Sequence, residues 1–443
     1  MSEKVGLFNP KDRICLIPQM NRRGCHLLAG TFRGFGIKAL VMDTYEGIDL
    51  GKEFTSGKEC FPCQVTMGDI LHYMKKEQER LGDAFNAENY VYFLPESEGP
   101  CRFGMYNKYQ RIVLDSFPEL ENLRICSLTS KDGYSLAGLM DPERVSNFRK
   151  SAYFSMVVGD ILDKLLWRIR PYEKEPGMTD AFIEQAMETM SDAFETDGAV
   201  NDFESILTKL EEVVKEGRAI MDPSIPPKPL IGIVGEIYLR THVESNQDII
   251  RVLEQYGGEV VNASIAEWVN YVTYDQLRAA KKGLRMNLKK FRFKEVTAHL
   301  KEMLNHGVNL YYQQAKLEQV YKRVKTLIDV PDEHRISHLE EILKEDDLFS
   351  FDVGTEACLS IAGILQYVND GYNGVVNVYP FTCMPSTTTT AVVKPIVNRM
   401  KVPYLDAAYD GTTQPGREAA IRTFMYQAQQ HLKKNGRKDL SEH

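Results

Sequence analysis

The chain lacks the features that mark membrane, secreted and nucleic-acid-binding proteins. No run approaches the roughly 18 apolar residues that span a bilayer, and residues 1–10 are polar, unlike the apolar segment of a secretory signal. The 54 basic and 62 acidic residues give a net charge of −8, which disfavours nucleic-acid binding through phosphate neutralisation. We therefore expect a cytoplasmic protein with neither a membrane nor a nucleic-acid partner.

Several enzyme signatures are missing as well. No G-x-x-x-x-G-K-[ST] loop occurs. Gly34-Phe35-Gly36 is too short to indicate a phosphate-binding loop, so a cluster-free CoA-binding enzyme has little support. No histidine stands in a motif that would pair it with a nucleophilic cysteine. A basic stretch at residues 285–294 is typical of a solvated helix face.

What is present is an ordinary globular composition, with 43% hydrophobic and 26% charged residues in a chain of 443. Short apolar strands alternate with helical patterns, which predicts parallel βαβ units. We expect an α/β protein with two flavodoxin-like or Rossmann-like lobes, parallel sheets and helical inserts. The predicted divisions are a first lobe at 1–150, a helical connector at 151–228, and a second lobe at 229–443 with a helical insert at about 271–348.

Eight cysteines are the most informative residues. In a reducing compartment structural disulfides are disfavoured, and clustered cysteines more often indicate metal binding or redox chemistry. Cys60 and Cys63 form a C-x-x-C before a predicted helix at 65–81, and Cys101 lies between a strand at 90–95 and the next helix. Cys358 opens a helix at 357–367, and Cys383 follows a strand at 375–379.

Five cysteines thus fall at the starts of four predicted helices, near the carboxyl ends of strands where α/β proteins bind ligands. Helix N-termini carry positive partial charge, so we expect lowered thiol pKa values and thiolate ligands there. A structural zinc site usually has two close ligand pairs, whereas here there is one pair and scattered single cysteines. The pattern favours an iron–sulfur cluster over zinc.

The other cysteines fit other roles. Cys15 and Cys126 lie in predicted strands and are interpreted as core residues, while Cys25 near a helix start is a reserve ligand. The polar residues nearest the candidate ligands are Glu59, Glu98 and Arg102. They are interpreted either as groups that tune a cluster or handle protons, or as surface ion-pair residues.

At these residues the chain resembles the 2-hydroxyacyl-CoA dehydratase and activase-associated family, in particular the stand-alone component related to the C-terminal region of fused CoA-enzyme activases. The matching motifs run in order along the chain: ECFPCQVTMGD at 59–69, GPCRFGMY at 99–106, RPYE at 170–173, GEIY at 235–238, EW at 267–268, EACLS at 356–360 and PFTCMP at 380–385. The segments around 22–25, 387–390 and 410–413 depart from the family pattern.

This resemblance implies oxygen-sensitive iron–sulfur clusters between two flavodoxin-like lobes, either four-iron four-sulfur or double-cubane. The implied ligands, and hence cofactor and metal-binding residues, are Cys60, Cys63, Cys101, Cys358 and Cys383; adding Cys25 or Cys126 would give six. It also implies a partner ATPase of the actin-like fold that supplies low-potential electrons in trans, a small-molecule substrate, and assembly into a homo- or hetero-oligomer.

The expected function is therefore low-potential electron transfer. The cluster would accept electrons from an ATP-dependent activase and would reduce or dehydrate a small substrate. The alternatives are a non-catalytic scaffold that stores or transfers a cluster, and a zinc-stabilised binding module. The sequence leaves open whether the chain is itself catalytic, and it identifies no catalytic residue.

Overall fold

The computed structural model describes residues 4–345 and 347–437. It is a mixed α/β structure in which helices flank two separate, wholly parallel sheets of five and four strands. The alternation of apolar strands and helical patterns predicted this class, because parallel neighbours need long crossover connections that are usually helical.

The first sheet has the order β1-β5-β4-β2-β3. Its strands are β1 (Val5–Gly6), β2 (Ile14–Ile17), β3 (Ala39–Val41), β4 (Tyr90–Phe93) and β5 (Arg124–Cys126). The helices of this lobe are α1 (Arg22–Gly34), α2 (Ile48–Glu53), α3 (Phe61–Leu81) and α4 (Tyr106–Leu114). β1 is a two-residue edge strand whose shortness hid it from the sequence pattern.

Three helices follow: α5 (Pro142–Ile169), α6 (Met178–Thr196) and α7 (Phe203–Ile220). α5 begins before residue 151, where the connector was predicted to start. Its central part is buried on every side, from Ser151 to Trp167 with only Met156 partly exposed. α5 therefore runs through the largest apolar core, which extends from α3 to the second sheet.

The second sheet has the order β7-β6-β8-β9. Its strands are β6 (Leu230–Gly235), β7 (Glu259–Asn262), β8 (Gly374–Pro380) and β9 (Tyr404–Tyr409). The helices are α8 (Ile249–Gln255), α9 (Ile265–Lys289), α10 (Phe293–Lys325), α11 (Ile336–Glu345), α12 (Glu356–Asn369), α13 (Met384–Met400) and α14 (Arg417–Asn435). Within the described ranges no helix is long and apolar enough to cross a membrane.

The strand orders place a crevice in each sheet. Connections leave in opposite directions from β2 and β4 in the first sheet, and from β6 and β8 in the second. Such switch points open at the carboxyl ends of the strands and are the usual ligand sites of open α/β sheets. The segment after β4 carries Cys101 and the segment after β8 carries Cys383, so each crevice has a cysteine at its rim.

Candidate functional site

Three cysteines cap the turns that begin helical segments. Cys60 is the N-cap of α3, Cys383 is the N-cap of α13, and Cys101 is the N-cap of a short 3₁₀ turn before α4. A proline follows closely in α3 and in α13, where its missing N–H costs nothing. Cys60 has φ 114°, a conformation that costs energy for any residue with a Cβ and is often kept at functional sites.

The Arg102 side chain ties these three turns together across the two lobes. Its Nη1 donates to the Lys58 carbonyl at 2.5 Å and to Thr382 Oγ1 at 3.3 Å, and its Nη2 donates to the Thr382 carbonyl at 3.0 Å. Lys58 lies two residues before Cys60, and Thr382 directly precedes Cys383. Arg102 directly follows Cys101 in the chain. Its guanidinium group therefore links the turns that carry Cys60, Cys101 and Cys383.

The thiols interact with one another and share charged neighbours. Burial raises the pKa of Cys101, with smaller contributions from Glu356, Glu236 and finally Cys60, and burial followed by Cys60 raises the pKa of Cys63. Cys101 and Cys383 both lie within electrostatic reach of the same two carboxylates, Glu356 and Glu236. The structure therefore brings Cys60, Cys63, Cys101 and Cys383 into one neighbourhood between the lobes.

The expectation of lowered thiol pKa values is wrong for the apoprotein. Burial raises the pKa of Cys60 to about 12, although a hydrogen bond from the Tyr106 hydroxyl and the charge of Arg102 both act in the opposite direction. Burial likewise raises the pKa of Cys383 to about 12. Desolvation outweighs the helix termini here, so without a metal these groups are neutral thiols and metal binding would release their protons.

Two buried carboxyl groups stand beside the cysteines. Glu236, directly after β6, accepts hydrogen bonds from the backbone N–H groups of Tyr238 at 3.1 Å and Leu239 at 2.9 Å. Glu356 Oε1 accepts from the Ile237 N–H at 3.3 Å, while Glu356 Oε2 is buried without a hydrogen-bond partner among the described residues. Burial, followed by repulsion from Glu236, raises the pKa of Glu356 to about 8.

These carboxyl groups were not singled out from the sequence, although both lie within motifs noted there. The signal that could have found Glu236 is a charged residue directly after a wholly apolar strand. Glu356 could have been found as an acidic residue in the first turn of a mostly buried helix. Tyr106 was missed for a different reason, because its contact with Cys60 joins residues far apart in the chain.

Cys358 occupies a different environment. Its Sγ lies 3.7 Å from the Ser350 carbonyl and 4.0 Å from the Gly354 carbonyl. Among the described residues its strongest electrostatic neighbours are Asp275 and Arg278, after burial, rather than the carboxylates near Cys101. It packs in the apolar core beneath α12, and only the start of its helix, through Glu356, approaches the other cysteines.

The remaining candidates lie elsewhere or have ordinary partners. Cys15, Cys25 and Cys126 share an apolar core on the first sheet, as expected for Cys15 and Cys126. Glu59 hydrogen-bonds the Ser56 N–H at 2.9 Å, and the exposed Glu98 pairs with Lys131 at 3.5 Å. Of the three polar residues named from the sequence, Arg102 alone bridges cysteine turns.

Across the described ranges, no group of three or more His, Cys, Asp or Glu side chains has a geometry that could hold a metal ion. Comparison with protein-family models gave no matching family, and comparison with curated proteins gave no match.

Proposed function

We propose that this protein binds an iron–sulfur cluster between its two lobes and uses it for low-potential electron transfer. Cys60, Cys101 and Cys383 would be ligands, and Cys63 or Cys358 would supply the fourth. The observation that carries the proposal is the set of Arg102 hydrogen bonds, which hold the backbone on either side of the lobe interface at the cysteine turns.

The donor set suits a cluster better than a single ion. The candidate ligands lie on separate turns of the two lobes, and the inorganic core of a cluster spaces its thiolate ligands more widely than one ion does. The site is also largely shielded from water, since Cys60 is 6% and Cys383 4% exposed. Burial, hydrogen bonds and nearby charges are the properties by which a protein sets a cluster potential.

The resemblance supplies the remainder of the proposal. A cluster, when bound, takes up and releases single electrons, and an actin-like ATPase acting in trans in the cytoplasm would be the donor. Arg102 would place positive charge beside the thiolates, and the Tyr106 hydroxyl would donate a hydrogen bond to Cys60. A small molecule reduced or dehydrated at the crevice would be the acceptor.

Iron and acid-labile sulfide analysis after anaerobic purification tests the proposal. We expect at least about four irons and four sulfides per chain, the content of a single four-iron cluster. Cys101→Ala should lose most of this iron, because it removes a proposed ligand. Cys126→Ala is the matched control, since Cys126 is a buried core thiol of the first sheet, and it should retain iron.

The same measurement decides the fourth ligand. Loss of iron in Cys63→Ala but not in Cys358→Ala would assign Cys63, and the reverse result would assign Cys358. A wild-type protein with fewer than about three irons, or equal iron in the Cys101→Ala variant and the wild type, would contradict the proposal. Zinc in place of iron would contradict the cluster and would instead support the alternative of a zinc-stabilised binding module.

A further inference from the structure

A wide groove lies on the second lobe, apart from the cysteine turns. It has a volume of about 570 Å³ and is formed by α9, α11 and the segment before α12. This volume falls within the range of about 300–1,000 Å³ that is usual for small-molecule sites. Two residues of the basic stretch at 285–294, Arg285 and Lys289, line this groove.

The floor of the groove is electrically balanced. Arg278 pairs with Glu340 at 3.0 Å, Asp275 at 3.1 Å and Asp352 at 2.9 Å, and its guanidinium carbon lies 5.6 Å from the centre of the Phe351 ring. Two lysines complete this network: Lys282 pairs with Asp352 at 3.0 Å and Lys344 with Glu340 at 2.8 Å. Three cations and three carboxylates therefore form a base with no net charge.

The wall of the groove is not balanced. Lys281, Arg285 and Lys289 line it and are exposed, and within the described part of the chain none of them has an ion pair. They are spaced four residues apart on α9, so they form one stripe with a rise of about 6 Å between neighbours. Met286, 49% exposed, adds an apolar surface beside them.

We infer that this groove binds a small organic polyphosphate, such as a nucleoside triphosphate, along the stripe formed by Lys281, Arg285 and Lys289. Three uncompensated positive charges in a row match a chain of phosphate groups, and the apolar wall at Met286 matches the organic part of such a ligand. Repulsion among the three cations is relieved when the anion binds. The floor of the groove borders Cys358 through Asp275, Arg278 and Gly354, whereas the cationic stripe lies along α9 and includes none of these residues.

Calorimetric titration of the full-length protein with ATP, with inorganic tripolyphosphate and with adenosine tests the inference. We expect saturable binding of both anions and no binding of the neutral nucleoside. The triple variant Lys281→Gln, Arg285→Gln, Lys289→Gln should bind at least about tenfold more weakly. Raising the salt concentration should weaken wild-type binding, since the stripe is open to solvent.

A charge-matched control separates a built site from general attraction. Lys75, Lys394 and Lys433 are exposed, unpaired within the described ranges and outside the groove, and their triple substitution to Gln should leave binding unchanged. The variant Lys281→Arg, Arg285→Lys, Lys289→Arg keeps the charges and should keep most of the affinity.

Several results would overturn the inference: no saturable binding at millimolar ligand, equal losses in the groove and control variants, or tighter binding of a nucleic-acid oligomer than of ATP. Circular dichroism and thermal unfolding of each variant exclude misfolding as the cause of a loss. The iron content of the groove variants should equal that of the wild type, so failure here is distinct from failure of the cluster proposal.

Discussion

Removing the Arg102 side chain should loosen the cysteine site more than it destabilises the fold. The guanidinium makes three hydrogen bonds to the Lys58 and Thr382 turns. Hydrogen bonds to a charged group contribute about 1.5–3 kcal/mol each when well buried. Because Arg102 is partly exposed, we expect Arg102→Gln to lower the free energy of unfolding by about 1–3 kcal/mol in total.

The effect on bound iron distinguishes geometry from charge. The positive charge of Arg102 favours the thiolate forms of Cys60 and Cys63. Arg102→Lys keeps that charge but loses the planar fork that reaches two turns at once. We therefore expect the rate at which a chelator removes iron to rise from the wild type to Arg102→Lys and again to Arg102→Gln.

The assay combines chelator-induced loss of iron absorbance under argon with urea unfolding of the apoprotein. Arg218→Gln is the control, because Arg218 also donates to a backbone carbonyl, that of Leu327 at 2.8 Å. Neither Arg218 nor Leu327 lies on a turn that carries a candidate cysteine ligand. If Arg102→Gln loses iron no faster than Arg218→Gln does, the guanidinium does not hold the cysteine turns and the reasoning is refuted.

Three further predictions concern the frame around the site. Burial lowers the pKa of His242 to about 3, so its contribution to stability is complete above about pH 6.5 and decreases by about 2–3 kcal/mol by pH 4.5; His242→Gln should flatten the acid limb of the stability curve. At Gly68 an added Cβ would lie 2.2 Å from a glycine carbonyl before α2, so Gly68→Ala should destabilise the fold by about 1–3 kcal/mol, whereas Gly307→Ala on α10, with open space around it, should be neutral or stabilising. Glu333→Gln should lower the free energy of unfolding by about 3–5 kcal/mol, because the charge of Lys164, whose side chain is 4% exposed, would then stay buried without its ion-pair partner.

Each of these has a clear contrary result. An acid limb equally steep in the wild type and the His242→Gln variant would show that the imidazole is charged or solvated in the folded protein. Equal urea midpoints for Gly68→Ala and Gly307→Ala would show that α2 and α3 can move apart without lowering the free energy of unfolding. If Lys164→Met does not recover stability in the Glu333→Gln background, the loss comes from packing rather than from an unpaired charge.

The sequence predicted the fold class because its signals are local. Apolar strands, helical periodicity and the cysteines at helix starts can each be read within about 20 residues, and the predicted strands at 90–95 and 375–379 match β4 and β8. Cys60 and Cys383 are N-caps as the pattern indicated, although α3 begins at Phe61, before the predicted start at 65. The edge strand β1 was missed, since two residues carry no periodic pattern.

The long-range parts of the site could not be predicted in this way. The Arg102–Thr382 contact joins residues 280 positions apart, and no local pattern encodes it. The phase of α12 turns Cys358 towards Ser350 and Gly354, which a position near a helix start does not determine. The thiol pKa values were misjudged because the degree of burial depends on how the two lobes pack, and burial outweighs the helix terminus.

The central claim is that thiolates from both lobes share one iron–sulfur cluster, and an electron paramagnetic resonance spectrum of the reduced protein tests it most directly. We predict the spectrum of a reduced cluster in the wild type and in Cys15→Ala, together with its loss or a clear change in both Cys60→Ala and Cys383→Ala, which remove one sulfur from each lobe. A reduced wild-type protein with no such signal, or a signal that survives unchanged when the sulfur of either lobe is removed, would contradict the account.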